Sequence, residues 1–283
     1  MRLDGRRQSE NVEDRRGKGS GKVSLGIIGT IIVGLIIWFS GGNPMEFVSQ
    51  QISEGSTATT NYTPTPEEQE AKKFAETILA GTEDVWTQVF SQNGKTYKPP
   101  RMVLFSGSTT SGCGSASSTT GPFYCPADQT VYIDLSFFDQ MKNQLGAGGD
   151  FAYAYVIAHE VGHHVQYLLG TLDKVHSRQR QVGEKESNQL SVRLELQADF
   201  YAGVWAFYDN NKFNSLEDGD IEEGLNAASQ IGDDRLQMES QGYTVPDAFN
   251  HGTSAQRTRW LKKGMQTGDI SQGDTFSIPY SDL

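Results

Sequence analysis

Cysteine is rare in this chain, two in 283 residues. The two lie twelve apart, at Cys113 and Cys125, a spacing that matches no common zinc pair and so excludes the familiar thiolate sites. Positive charge is also scarce: 24 Lys and Arg stand against 35 Asp and Glu, a net charge of −11, with a pI near 4.9. No basic patch follows the first 22 residues, which argues against a nucleic-acid partner. No internal repeat is present, so repeat architectures are excluded. The acidic stretch Glu217-Asp218-Gly219-Asp220-Ile221-Glu222-Glu223 lacks the ligand order and glycine position of a calcium loop, and reads as a solvated helix start.

One segment lacks charge altogether. Val23 to Phe39 is a 17-residue uncharged run, at the short end of the membrane-spanning range, with Trp38 at an interfacial position. Seven basic and four acidic residues precede it, a net of +3 that leaves −14 for the rest. The expectation is a basic N-terminus in the cytosol (1–22), one transmembrane anchor (23–39) in the cell membrane, and the bulk of the chain on the periplasmic or extracellular side. No A-x-A cleavage site follows the run, which favours an uncleaved anchor over a signal peptide. Gly26, Thr30 and Gly34 form a small-xxx-small stripe, a hint of self-association. Residues 40–66, rich in Ser, Thr, Gly and Pro, read as a flexible stalk. Residues 67–283 remain for one α+β domain, mainly helical with a small sheet.

Within that domain, helical periodicity marks 67–90, 220–231 and 254–264, and Arg101–Phe105 and Thr130–Leu135 read as strands of the small sheet. The second of these is a candidate edge strand on which a peptide could lie. Cys113 and Cys125 bracket a Gly/Ser/Thr-rich stretch. A disulfide there would stabilise by roughly 3 kcal/mol and fits an exported domain, with two free thiols as the alternative.

The most informative residues are His159-Glu160-Val161-Gly162-His163. Asp150 opens an apolar run through Ile157 and Ala158, and Val165, Tyr167, Leu168 and Leu169 continue it to a stop at Gly170, so the motif sits on a helix. Residues four apart share a helix face, so both imidazoles can hold one Zn²⁺ while Glu160 reaches a water. A catalytic zinc needs a third protein ligand. Gln166 and Leu169 occupy the places where an extended motif would carry Gly and His, so that version is excluded. Glu195, thirty-two residues after His163, shares a helix face with Val192, Asp199, Ala202 and Ala206. Two carboxylates on so apolar a face demand a cation or an imidazole. Glu195 as ligand and Asp199 holding the free N–H of a ligand histidine satisfies both; Asp199 as the ligand is the alternative. Ala198 and Ala202, opposite Gly162, would let the helices approach closely. His164 points about 100° away from the metal face, which places it either behind the ligands or at the rim, and His176 falls in a polar stretch read as loop.

H-E-V-G-H-H-V-Q followed by E-L-Q-A-D-F-Y-A-G-V-W, with F-Y-C-P-A-D at 123–128, V-Y-I-D at 131–134 and H-G-T-S-A-Q-R at 251–257, resembles the bacterial neutral zinc metallopeptidases, a membrane-anchored, zincin-like family. The resemblance implies that His159, His163 and Glu195 bind zinc and that Glu160 is the base in hydrolysis of a peptide or protein substrate. The Glu-x-x-Ala-Asp helix is also similar to that of CAAX-prenyl-protease-type peptidases, whose later His-Pro-Pro-x-x-x-Arg has its spacing kept here by His251 and Arg257 without the prolines. Among donors for the oxyanion, His251 ranks ahead of Tyr153, Tyr155 and Tyr201. Two other readings stay open: a zinc-binding, catalytically silent envelope scaffold, and a zinc amidase acting on the cell wall.

Overall fold

The computed structural model describes residues 1–17 and 62–283. The uncharged run, its glycine stripe and most of the expected stalk lie outside the described residues. Among the described residues no helix is long and apolar enough to cross a membrane.

Chain order begins with a three-residue strand, β1 (Val12–Asp14), followed by helix α1 (Pro66–Gln92). Thr65 caps α1 through a reciprocal box with Glu68, and Pro66 takes the first turn, where its missing N–H does no harm. Strand β2 (Arg101–Phe105) leads into a hairpin of β3 (Ser108–Ser111) and β4 (Gly114–Ser117), then β5 (Phe123–Cys125) and β6 (Thr130–Asp134). The helices that follow are α2 (Ser136–Asn143), α3 (Asp150–Leu168), α4 (Thr171–Gln179), α5 (Glu184–Phe213), α6 (Asp220–Gln230), α7 (Asp233–Gln241) and α8 (Ser254–Thr267). The result is α+β: mostly helix, with one four-stranded sheet in the order β1-β2-β6-β5.

That strand order corrects one expectation. Thr130–Asp134 is an interior strand, parallel to β2 and antiparallel to β5, and buried along its whole length, so β5 rather than β6 lies at the edge. A strand enclosed on both sides and both faces shows a continuous apolar run, which alone cannot distinguish edge from centre. His176 likewise sits on α4 rather than in a loop. Cys113, in the turn of the β3–β4 hairpin, forms a disulfide with Cys125 at the end of β5.

A second correction concerns the N-terminus. Residues 1–17 do not stand apart from the domain. β1 adds to β2 in parallel register, Val12 opposite Met102, and Leu3 and Val12 pack on the main core. Arg6, Arg7 and Ser9 bond to acidic side chains of α1 and α5. The expected solvated helix start at Glu217–Glu223 also has partners: Arg2 reaches Glu217.

Helix α3 is the axis of the core. Phe151, Tyr155, Ile157, Ala158, Val161 and Val165 are all buried, because other elements cover the helix on nearly every side. Its N-terminus has a carboxylate partner, Glu223 on α6, whose Oε2 accepts from the Phe151 amide at 3.2 Å. Gly149 makes room for it: a Cβ there would fall 2.2 Å from that carboxylate. Two close helix crossings fix the rest. At Gly162 a Cβ would come within 2.9 Å of the Ala198 carbonyl oxygen, and at Gly203 within 2.2 Å of the Leu261 carbonyl oxygen. These bring α3 onto α5 and α5 onto α8 at backbone contact.

Candidate metal centre

The α3–α5 crossing lines up the chemistry. His159 and His163 are one turn apart on α3, with ring centroids 4.8 Å apart and planes nearly perpendicular. On α5, Glu195 stands one turn before Asp199. His159 Nε2 lies 3.2 Å from Glu195 Oε2, and His163 Nε2 lies 3.4 Å from Glu195 Oε1. One ligand atom from each of the three residues falls within 4.8 Å of the others. His159 is buried, while His163 and Glu195 keep partial exposure, so the cluster is open on one side.

Each imidazole is held from behind. His159 Nδ1 meets Asp199 Oδ1 at 2.8 Å, and His163 Nδ1 meets Gln166 Oε1 at 2.9 Å. Both bonds require the proton on Nδ1, so Nε2 is the atom that each ring turns toward the Glu195 carboxylate. The Gln166 amide is itself fixed, since its Nε2 donates to the Leu194 carbonyl at 2.7 Å and to Gln197 Oε1 at 3.2 Å. Asp199 is fully buried and its oxygens are occupied: Tyr155 donates at 2.6 Å, and Arg257 donates through Nε and Nη2, each at 2.9 Å. Asp199 thus stands behind the His159 ring with both of its oxygens already bonded.

The electrostatics fit a cation. Burial alone would lower the pKa of His159, yet Asp199 and Glu195 outweigh it and hold the imidazole up to about 10. Burial would raise the Glu195 carboxyl, but His163, His159 and His251 push it well below the usual range. Two imidazole nitrogens and a carboxylate that converge on one point form the donor set a divalent zinc would satisfy: two imidazoles, one carboxylate and an open side for water. Glu160, which follows His159 on α3, is buried.

His251 arrives on the loop before α8. Asp233, fully buried at the start of α7, accepts from the backbone amides of Asn250, His251 and Gly252 at 2.8, 2.7 and 2.9 Å, and its other oxygen lies 3.3 Å from His251 Nδ1. One carboxylate thus fixes both the loop and the ring. His251 and Glu195 are near enough for each to shift the other's pKa. The three tyrosines weighed with His251 differ in their contacts. Tyr155 bonds Asp199, Tyr201 packs edge-on to Trp86, and Tyr153 stacks on Phe138. His164 is no rim residue: it is fully buried, between the Tyr124 hydroxyl and the Lys98 carbonyl, and burial pushes its pKa down to about 4.

Gln166, Asp233 and the role of Arg257 escape a reading of the sequence. A neutral amide leaves no charge pattern, and Asp233 works through a loop seventeen residues away. For Arg257 a signal existed: a buried acid on α5 needs a cation, and Arg257 keeps a six-residue spacing from His251.

The family model described as "Putative neutral zinc metallopeptidase" matches residues 1–276. The uncharacterized protein YpfJ of Escherichia coli (strain K12) is 52% identical over 295 aligned residues, covering 98% of this chain and 99% of that protein. The uncharacterized proteins Mb2605 of Mycobacterium bovis and Rv2575 of Mycobacterium tuberculosis are each 44% identical over 218 residues, covering 74% of this chain and 73% of theirs. No solved structure matches the chain significantly.

Proposed function

Because the chain belongs to the neutral zinc metallopeptidase family, we propose that it hydrolyses peptide bonds, with His159, His163 and Glu195 as zinc ligands and Glu160 as general base. The observation that carries this reading is the convergence of both Nε2 atoms on the Glu195 carboxylate at 3.2 and 3.4 Å while both Nδ1 atoms are tied back. When bound, zinc supplies a Lewis acid that polarises the scissile carbonyl and acidifies water. Glu160 takes a proton from the attacking water and passes it to the leaving amine. His251 donates to the oxyanion as it forms. Burial pulls the pKa of His251 down, but Asp233 more than offsets this and keeps the ring protonated to higher pH than a free histidine. Asp199 and Gln166 hold the ligand rings in place, and Arg257 and Tyr155 hold Asp199.

The substrate backbone adds as a strand along β5, the edge strand packed beside α3. The uncharged run Val23–Phe39 keeps the activity at a membrane. The test is direct: measure bound zinc and cleavage of a mixed peptide library by the purified chain and by Glu160→Gln. Equimolar zinc in both, with cleavage lost in the variant, is the expected result. Equal cleavage by both would remove Glu160 from the reaction, and absence of zinc from the wild-type chain would end the metallopeptidase reading.

A further inference from the structure

The N-terminal arm occupies a site built to receive it. Arg6 lies along α1 and α5 and places Nη1 2.9 Å and Nη2 2.5 Å from the two oxygens of Asp209, which is fully buried. Gly81 provides the space, since a Cβ there would meet Arg6 Nη2 at 2.7 Å. Glu83, also buried, accepts from Ser9 at 2.6 Å and Asn11 at 2.8 Å, and Arg7 reaches its other oxygen at 2.9 Å. Arg7 further spans to Asp84 and to the Ala80 carbonyl. Backbone pairing then runs from Asn11 to Arg15 along β2, and Arg16 donates to the Glu68 carbonyl at 2.7 Å. Among the described residues Arg6 is the only cation paired with Asp209. Without the arm, two buried carboxylates would lose their main partners and β2 would become an open edge.

The geometry points to one compartment for both pieces: we infer that residues 1–17 are a structural part of the catalytic domain and lie on the same side of the membrane as it does. The uncharged run Val23–Phe39 falls between Gly17 and Tyr62, which touch each other: a Cβ on Gly17 would lie 2.3 Å from Tyr62. A one-way crossing by that run would set Arg6 and Asp209 on opposite faces of a hydrocarbon layer about 30 Å thick. Contacts of 2.5–2.9 Å cannot form across it. Residues 40–61 include Glu46, Glu54, Gln50 and Gln51 and hold no second uncharged stretch long enough to return. The expected split, with a cytosolic N-terminus and an exported domain, is therefore replaced. The +3 charge of residues 1–22 and the Cys113–Cys125 disulfide favour opposite faces, and one of these two signals yields.

The test uses the full chain in its native membrane. Single cysteines replace exposed Gln8 and exposed Lys262, and a membrane-impermeant maleimide is added to intact cells and to inverted vesicles. The chain with neither probe controls for Cys113 and Cys125. Labelling of both probes from the same face, whichever it is, is the expected result; labelling from opposite faces overturns the inference. A second measurement keeps it falsifiable if probe chains misfold. Arg6→Met, Asp209→Asn and the double variant are melted in the membrane, with protease resistance as the readout. Each single change should lower the midpoint by roughly 6 °C or more, and the double change no further than the worse single one. Losses that simply add would show that the arm and Asp209 do not meet.

Discussion

Arg257 offers the most quantitative test of how the metal centre is braced. Its guanidinium is buried and donates two 2.9 Å bonds to Asp199, which is itself fully buried. Arg257→Met keeps the bulk and removes the charge. Asp199 then retains only the Tyr155 hydroxyl and His159 Nδ1, and breaking a buried pair in this way costs about 3–5 kcal/mol. For a domain of this size each kcal/mol shifts the melting midpoint by about 2–4 °C, so a fall of at least roughly 6 °C follows. Burial raises the Asp199 carboxyl, while Arg257 and then His159 keep it low. Loss of the arginine therefore drives Asp199 toward the protonated form, and His159 loses its charged orienting partner. Zinc affinity should drop on the order of 10- to 100-fold, as it does when such outer partners are removed. Calorimetric melting of the metal-free chain reads the first effect, and competition with a chromogenic chelator reads the second. Arg257→Lys should recover only part of each, since an ammonium cannot match the two-pronged contact. Asp199→Asn added to Arg257→Met should restore stability without restoring affinity. A melt within 2 °C of wild type together with unchanged zinc affinity would refute the argument.

Three further outcomes follow. Glu195→Ala should lose zinc more completely than Asp199→Asn, measured by metal content after dialysis; the reverse order would exchange ligand and brace. Asp233→Asn should move the alkaline limb of the pH–rate profile toward acid. His251 has its folded pKa raised, so its contribution to stability is present below the unfolded value near 6.5 and lost as pH rises through the folded one, and removing Asp233 narrows that window. An unmoved limb would detach His251 from the rate. Replacing Cys113 and Cys125 together by Ser should destabilise by roughly 3 kcal/mol, read by denaturant unfolding. The loss should leave zinc content intact, since the bridge joins the β3–β4 turn to β5 and no metal-binding residue.

How much of this was legible in the sequence depended on the range of each interaction. The shared face of His159 and His163 on α3 and the Glu195–Asp199 pair on α5 show themselves by helical spacing, a local property. The close approach of Gly162 to Ala198 could also be anticipated, because small residues at facing positions leave few other uses. Strand order could not. Thr130–Asp134 is interior only because β2 and β5 flank it, and nothing in its own residues says so. The arm was opaque for the same reason. Val12–Asp14 carries no strand pattern of its own and pairs with a segment ninety residues away. Its arginines, read as free positive charge, have their partners on α1 and α5. Gln166 entered the sequence reading only as the residue in place of the extended motif's Gly, whereas its amide oxygen bonds the His163 ring.

The glycine at position 162 has a consequence for metal choice. The separation between the imidazole pair and Glu195 is fixed where the two main chains touch, with the Ala198 carbonyl 2.9 Å from any added methyl. A gap set by main chain has no pliable side chain to stretch. Ions that need longer bonds than the 2.0–2.2 Å typical of zinc with nitrogen and oxygen would have to bend a helix to enter. With His159, His163 and Glu195 as the proposed ligands, size exclusion would join donor softness in selecting the ion, and Gly162→Ala should relax that selectivity toward larger metals such as cadmium before it abolishes binding.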